Sequence, residues 1–191
     1  MYKIPFSGRN IKYTEKEIKA VVETMENAKT LTQGEKLISF EKSFNKFLSG
    51  GGKSFAVGSA TDALEIAAQL CQFKSGEEFI IPAHTYTASC YPFIKHGGTP
   101  KWADIDSSNR VISLESIKKC INPKTRAIVV VHLYGYVVDM DPILKLAKEY
   151  NLLVIEDAAQ SIGSIYNGKR AGCMSDIGIF SFHSHKNITT L

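Results

Sequence analysis

The stretch that decides the fold lies between residues 126 and 156. It reads Arg126-Ala127-Ile128-Val129-Val130-Val131, then a helical pattern over 142–150, then Leu152-Leu153-Val154-Ile155-Glu156. Continuous apolar, β-branched runs of this length are typical of strands that are buried on both faces of a sheet. Two parallel strands need a long connection between them, which is usually a helix. The stretch therefore predicts a strand, a helix and a second, parallel strand.

The same alternation extends along most of the chain. Further strands are predicted at 54–57, 78–81, 101–104 and 177–182. Helices are predicted at 15–25, 36–48, 62–72, 88–95 and 114–120, with Thr14 as a candidate cap of the first one. No repeat or linker divides the sequence. We therefore predict a single α/β unit, a three-layer αβα arrangement around a mostly parallel sheet.

Composition excludes several classes of protein. The chain has 191 residues, of which 44% are hydrophobic and 22% charged, as expected of a globular domain. Its net charge of +4 is dispersed, so nucleic acid is not an expected partner. No apolar run approaches the roughly 18 residues of a membrane helix, and residues 1–6 lack a secretory signal. Four widely spaced cysteines favour neither a disulfide scaffold nor a zinc site. A cytoplasmic location is expected.

Ligands of open parallel sheets bind beyond the carboxyl ends of the strands, so the residues that follow each strand are the candidates. After 54–57 comes a turn of small residues, Gly58-Ser59-Ala60-Thr61, which enters a helix. Free backbone N–H groups and the helix dipole favour an anion there, and the Thr61 hydroxyl adds a donor. The turn predicts a phosphate site, although an ordinary capped helix start has the same sequence features.

Aromatic and imidazole side chains follow two other predicted strands. His84 and Tyr86 follow 78–81, and the Tyr86 ring could either stack on a planar ligand or cover the end of the sheet. His132 follows 126–131, and we interpret it as a hydrogen-bonded core histidine. Asp104 and Asp106 are interpreted as turn residues, because two carboxylates without further ligands make a poor metal site.

The last two strands are followed by an acid and a base. Asp157 ends an apolar run, and a carboxylate buried there needs a cation such as a protonated ring nitrogen. A helix cap is the alternative role for Asp157. Lys186 follows 177–182, where a partly desolvated lysine can form a Schiff base, whereas most lysines are only surface charges. His183 and His185 lack a third ligand, so no metal site is predicted.

In their order along the chain these pieces resemble the DegT family of pyridoxal-phosphate-dependent sugar aminotransferases, which have the aspartate-aminotransferase-like fold, fold type I. The matching stretches are 59–64, 82–89, 131–135, 155–160 and 180–187. The resemblance implies pyridoxal 5'-phosphate as cofactor, with Lys186 as the Schiff-base lysine and proton carrier. It implies that Asp157 pairs with the pyridinium nitrogen, Gln160 faces the phenolic oxygen and Tyr86 stacks on the ring. It also implies that Ala60, Thr61 and Ser181 hold the phosphate.

The resemblance also implies a reaction and an assembly. An amino group, usually from glutamate, would pass to a keto carbon of a nucleotide-linked sugar. The full-length protein would be a homodimer. Members of the family continue beyond the lysine into a small C-terminal domain, so residues 1–191 would be the large, cofactor-binding domain without its last part. Ala60 stands where many members have glycine, which is a mild change unless φ is positive.

Three alternatives stay open at this point. A sugar dehydratase of the same fold replaces the lysine by histidine, so Lys186 argues against it, although His185 is adjacent. A non-catalytic fragment would only bind the cofactor or a partner subunit. A NAD-binding domain is disfavoured because the Gly-x-Gly-x-x-Gly fingerprint is absent.

Overall fold

The computed structural model describes residues 12–30, 32–49 and 51–190. The predicted absence of a secretory signal concerns residues 1–6, which lie outside these ranges. The helices are α1 (Glu15–Asn27), α2 (Glu35–Leu48), α3 (Ala60–Cys71), α4 (Tyr91–Lys95), α5 (Leu114–Cys120) and α6 (Met140–Tyr150). The strands are β1 (Glu78–Pro82), β2 (Thr99–Ala103), β3 (Thr125–Val131), β4 (Leu153–Asp157), β5 (Ile165–Tyr166), β6 (Lys169–Arg170) and β7 (Ile177–Ile179).

Five of the strands form one parallel sheet in the order β2-β1-β3-β4-β7. The strands β5 and β6 form a separate antiparallel hairpin. Short 3-10 turns at Thr87–Ser89 and Leu133–Gly135 lie beyond β1 and β3. Within the described ranges, no helix has the length and apolar character needed to cross a membrane.

Two cores lie on opposite faces of this sheet, as strand alternation requires. Ile80 of β1 belongs to one core, together with β3 and β4 side chains and the inner faces of α5 and α6. Its neighbours Phe79 and Ile81 belong to the other core, which α3 and α4 cover. The predicted three-layer αβα architecture with a mostly parallel sheet is therefore confirmed.

Most predicted elements are present, but the strand at 54–57 is wrong. No strand among the described residues pairs with this segment, and Phe55 is 75% exposed. The segment is attached instead through the Ala56 amide, which donates a 2.8 Å hydrogen bond to the Glu41 carboxylate. Its β-branched and aromatic composition was the only signal for a strand, and composition does not supply a pairing partner.

Two other predicted boundaries change for identifiable reasons. The strand predicted at 177–182 ends at Ile179, because its partner β4 ends at Asp157, the residue paired with Ile179. The helix predicted at 88–95 divides into the 3-10 turn and α4, with Pro92 in the first turn of α4. Proline lacks the N–H that a continuous helix would require at that position.

The predicted Thr14 cap is confirmed, as a complete capping box with Glu17.

An aromatic cluster fixes the segment that follows β7. The rings of Phe180 and Phe182 meet the Phe44 ring edge-on, with centroids 5.1 and 5.2 Å away, and Phe182 also contacts Phe40 at 5.1 Å. Aromatic pairs prefer this edge-to-face geometry. The α2 helix therefore holds the chain on its path from β7 toward Lys186.

Candidate functional site

The carboxyl ends of the sheet strands are joined into one continuous edge. Beyond the ladder, the His132 amide donates to the Asp157 carbonyl at 3.1 Å, and the Ala158 amide donates to the Ile179 carbonyl at 2.8 Å. The segments that follow β3, β4 and β7 therefore lie side by side. This is the edge at which the sequence places most of the candidate site residues.

Asp157 is a buried carboxylate without a cationic partner at this edge. Its side chain accepts a 2.7 Å hydrogen bond from the Ser89 hydroxyl on one oxygen and a 3.0 Å bond from the Ala159 amide on the other. No basic side chain in the described ranges forms an ion pair with it. A turn rather than a helix follows Asp157, so the helix-cap interpretation is wrong. A buried carboxylate of this kind fits a protonated ring nitrogen, because burying an uncompensated charge is costly.

The amino end of α3 supplies the candidate anion donors. The Ser59 hydroxyl caps the helix by accepting from the Asp62 amide at 3.1 Å, and it donates back to the Asp62 carboxylate at 3.0 Å. The Ala60 and Thr61 amides have no acceptor among the described residues. These two amides and the helix dipole can therefore receive an oxyanion.

Ser181 is the other residue predicted to hold the phosphate. The α3 helix packs against β7, the strand that leads to Ser181. The Ser181 side chain is buried, and its oxygen accepts only a long hydrogen bond of 3.4 Å from the His183 amide. The fold thus packs the helix that begins at Ala60 against the strand that leads to Ser181, although the two elements come from opposite ends of the described chain.

Lys186 is half-buried in the turn that follows this segment. Its amide donates to the His183 carbonyl at 2.8 Å, which fixes the backbone of the turn. No carboxylate in the described ranges pairs with its ammonium group. The neighbouring His185 is exposed. Among the described residues no group of three or more His, Cys, Asp and Glu side chains could hold a metal ion.

The orientation of the Gln160 amide is fixed by a residue that the sequence did not single out. Tyr134 adopts a left-handed backbone conformation, with φ of 55°, and its N–H donates to Gln160 Oε1 at 3.0 Å. A non-glycine residue in this region is uncommon and costs free energy. Because the amide oxygen is occupied, the Gln160 NH₂ group remains to donate to a ligand. Tyr86 directly precedes the 3-10 turn beyond β1 and is 72% exposed, so its ring is open to contact.

His132 and Glu156 form a buried structural pair beneath this edge. The His132 Nδ1 accepts from the Val138 amide at 3.2 Å, so its Nε2 carries the proton that is donated to Glu156 at 2.9 Å. The Glu156 carboxylate also receives the Gly172, Met174 and Ser175 amides and the Ser175 hydroxyl. Burial alone would raise the pKa of Glu156, but these hydrogen bonds, with that from His132 foremost, lower the pKa overall. The interpretation of His132 as a core histidine is confirmed.

The predicted turn roles of Asp104 and Asp106 are also confirmed. Asp104 accepts from the Ile105 amide at 2.8 Å, and Asp106 accepts from the Ser108 amide at 2.7 Å. Both acids lie at the exposed end of β2, away from Asp157. Both carboxylates therefore accept hydrogen bonds from backbone amides of their own turns.

The fold and the site together define an α/β protein with a candidate ligand site beyond the carboxyl ends of its strands. The candidate residues there are the buried acid Asp157, the unpaired Lys186 and the free amides at the start of α3. The chain belongs to the DegT/DnrJ/EryC1/StrS aminotransferase family, whose profile matches residues 12–191. GDP-perosamine synthase of Caulobacter vibrioides is 39% identical over 170 residues, which are 89% of this chain and 46% of that one. The dTDP-3-amino-3,6-dideoxy-alpha-D-galactopyranose transaminase of Aneurinibacillus thermoaerophilus is 38% identical, over 91% of this chain and 47% of its own length.

Solved structures show the same fold. An aminotransferase from Psychrobacter cryohalolentis superposes with a TM-score of 0.89 and 35% identity, covering 97% of this chain and 47% of that one. The Escherichia coli GDP-4-keto-6-deoxy-D-mannose-3-dehydratase, with bound hydrated PLP, gives a TM-score of 0.89 and 28% identity, covering 95% and 48%. The chain therefore has the fold of the PLP-dependent aminotransferases, and it spans about half the length of the curated relatives it matches.

Proposed function

We propose that this chain is the cofactor-binding large domain of a pyridoxal-phosphate-dependent sugar-nucleotide aminotransferase. The observation that carries the proposal is Asp157, a buried carboxylate that no cation of the described chain neutralises. A protonated pyridine nitrogen supplies the missing positive charge. The Ala60 and Thr61 amides and the Ser181 hydroxyl would hold the phosphate, and the exposed Tyr86 ring would stack on the cofactor.

Each candidate residue at this sheet edge has a separate role in the proposed reaction. Bound pyridoxal phosphate supplies an electron-withdrawing ring that stabilises negative charge on the carbon being aminated. Lys186 Nζ would hold the cofactor covalently and would carry a proton at the reacting carbon. Asp157 would hold the ring nitrogen in its protonated form, and the free NH₂ group of Gln160 would donate to the phenolic oxygen.

The substrates are proposed from the relatives. The transaminase of Aneurinibacillus thermoaerophilus bears the name of a dTDP-linked amino sugar. We propose a nucleotide-linked keto sugar as amino acceptor and glutamate as donor, acting in the biosynthesis of an amino sugar or polysaccharide in the cytoplasm. The complete protein is proposed to be a homodimer.

A sugar dehydratase is the second candidate, and the fold similarity to the Escherichia coli dehydratase favours it. Both enzymes bind the same cofactor, so they are separated by which residue reacts and by the product. Here Lys186 is half-buried while His185 is exposed, which favours the aminotransferase. The third candidate is a non-catalytic chain that only binds the cofactor or a partner subunit.

The test is a transfer experiment with labelled donor. Purified protein with pyridoxal phosphate, ¹⁵N-glutamate and a nucleotide-linked keto sugar should yield a ¹⁵N-labelled amino sugar, detected by mass spectrometry. The K186R variant should abolish transfer, whereas K148R, at an exposed position of α6, should not. An unlabelled product that has lost water would identify the dehydratase instead. Cofactor binding without either product would leave only the binding role.

A further inference from the structure

Ser89 is a buried hydroxyl that connects the segment after β1 to the acid at the end of β4. It lies 68 residues before Asp157, and its Oγ is 2.7 Å from Asp157 Oδ2. Ser89 is 1% exposed and Asp157 is 6% exposed, so water does not compete freely for this hydrogen bond. Among the described residues Ser89 provides the only side-chain donor to Asp157.

The directions of the hydrogen bonds follow from counting protons. An ionised carboxylate can only accept, so the single Ser89 hydroxyl proton points to Asp157. The Thr85 hydroxyl lies 2.8 Å from Ser89 Oγ, and it must therefore be the donor in that pair. The result is a directed chain in which Thr85 donates to Ser89 and Ser89 donates to Asp157.

This chain limits how the Asp157 carboxylate can turn. One of its oxygens is held by Ser89 and the other by the Ala159 amide, so rotation about the bond to the carboxyl carbon would break one of the two hydrogen bonds. Each oxygen retains a lone pair. The free lone pairs therefore have a defined direction before any ligand arrives.

We propose that Ser89, supported by Thr85, is a positioning residue that aims the Asp157 carboxylate at the ring nitrogen of the cofactor. The inference rests on the proposed function, because that function identifies the ligand as a protonated pyridine. Ser89 does not touch the cofactor and acts through Asp157. Hydrogen bonds to charged groups are about twice as strong as neutral ones, so the loss of this bond affects binding measurably.

The test compares two cofactors that differ only at the ring nitrogen. The affinities of the wild type and S89A are measured by spectroscopic titration with pyridoxal phosphate and with its analogue in which CH replaces that nitrogen. We expect S89A to weaken binding of pyridoxal phosphate about tenfold and to leave the affinity for the analogue within about twofold. S89T, which keeps the hydroxyl, should restore most of the affinity. A purely structural role of Ser89 would weaken both ligands equally.

Two further variants keep the test decisive. S161A removes a buried hydroxyl that has no hydrogen-bond partner among the described residues, and it should bind both ligands like the wild type. If S89A does not fold, T85V replaces it in the test, because T85V removes the hydroxyl that donates to Ser89. T85V should weaken the binding of pyridoxal phosphate less than S89A does, and it should likewise leave the affinity for the analogue without the ring nitrogen unchanged.

The outcomes separate this inference from the proposed function. Equal affinities of wild type and S89A for pyridoxal phosphate, or equal losses with both ligands, would overturn the role of Ser89 and leave the function intact. No binding of pyridoxal phosphate by the wild type would overturn both.

Discussion

Replacing Glu156 by glutamine should destabilise the protein more than any isosteric change at the surface. Each oxygen of this buried carboxylate accepts at least two hydrogen bonds. The glutamine NH₂ group must take the place of one oxygen. It would then face either the Gly172 amide and the His132 Nε2–H or the amides of Met174 and Ser175.

Neither arrangement can be repaired locally. His132 cannot move its proton, because its Nδ1 already accepts from Val138. At least two buried donors therefore lose their acceptor, at about 1–3 kcal/mol each. The free energy of unfolding should fall by roughly 4 kcal/mol, a large part of the 5–15 kcal/mol typical of a domain.

Urea denaturation followed by far-UV circular dichroism measures this loss. With a slope of about 2 kcal/mol per molar urea, the midpoint should fall by about 2 M. E149Q, at an exposed position of α6, is the matched control and should change the free energy of unfolding by less than about 0.5 kcal/mol. An E156Q midpoint within about 0.3 M of the wild type would refute the structural role assigned to Glu156.

Two further predictions follow from the same region. The interactions of the folded state lower the pKa of Glu156 below its ordinary value of 4.5, so ionisation of Glu156 stabilises the fold fully above pH 4.5 and progressively less as the pH falls below 4.5. The difference in the free energy of unfolding between wild type and E156Q, measured by urea denaturation, should therefore narrow as the pH is lowered below 4.5. G178A should lower the melting temperature by about 5 °C or more, because a Cβ there would lie 1.8 Å from the Gly172 carbonyl oxygen, which is backbone and cannot move aside. An unchanged melting temperature for G178A, or a stability difference independent of pH, would contradict the packing around Glu156.

The sequence predicts the sheet well, because its central strands carry their own signal. Val129 and Ile155 lie in apolar runs that only a doubly covered strand can bury. The segment around Phe55 has similar composition but no described partner, and pairing is a long-range property that a local pattern does not contain. The early end of β7 has the same origin, because it is set by the end of β4.

The candidate site was predictable as a set of strand ends, but the residues that orient it were not. Asp157 and Lys186 follow apolar runs and carry charges, so they stand out in the sequence. Ser89 and Tyr134 matter through contacts 68 and 26 residues away along the chain. A hydroxyl residue soon after a strand end is a weak signal for such a contact, and the left-handed backbone of Tyr134 has no signal in its residue type.

The proposed function requires that Lys186 attaches pyridoxal phosphate at this sheet edge. The most direct measurement is borohydride reduction of the purified protein with pyridoxal phosphate, followed by peptide mapping of the stable adduct by mass spectrometry. We expect one adduct, on Lys186, which is absent from K186R. Adducts spread over exposed lysines such as Lys148, or no adduct at all, would contradict it.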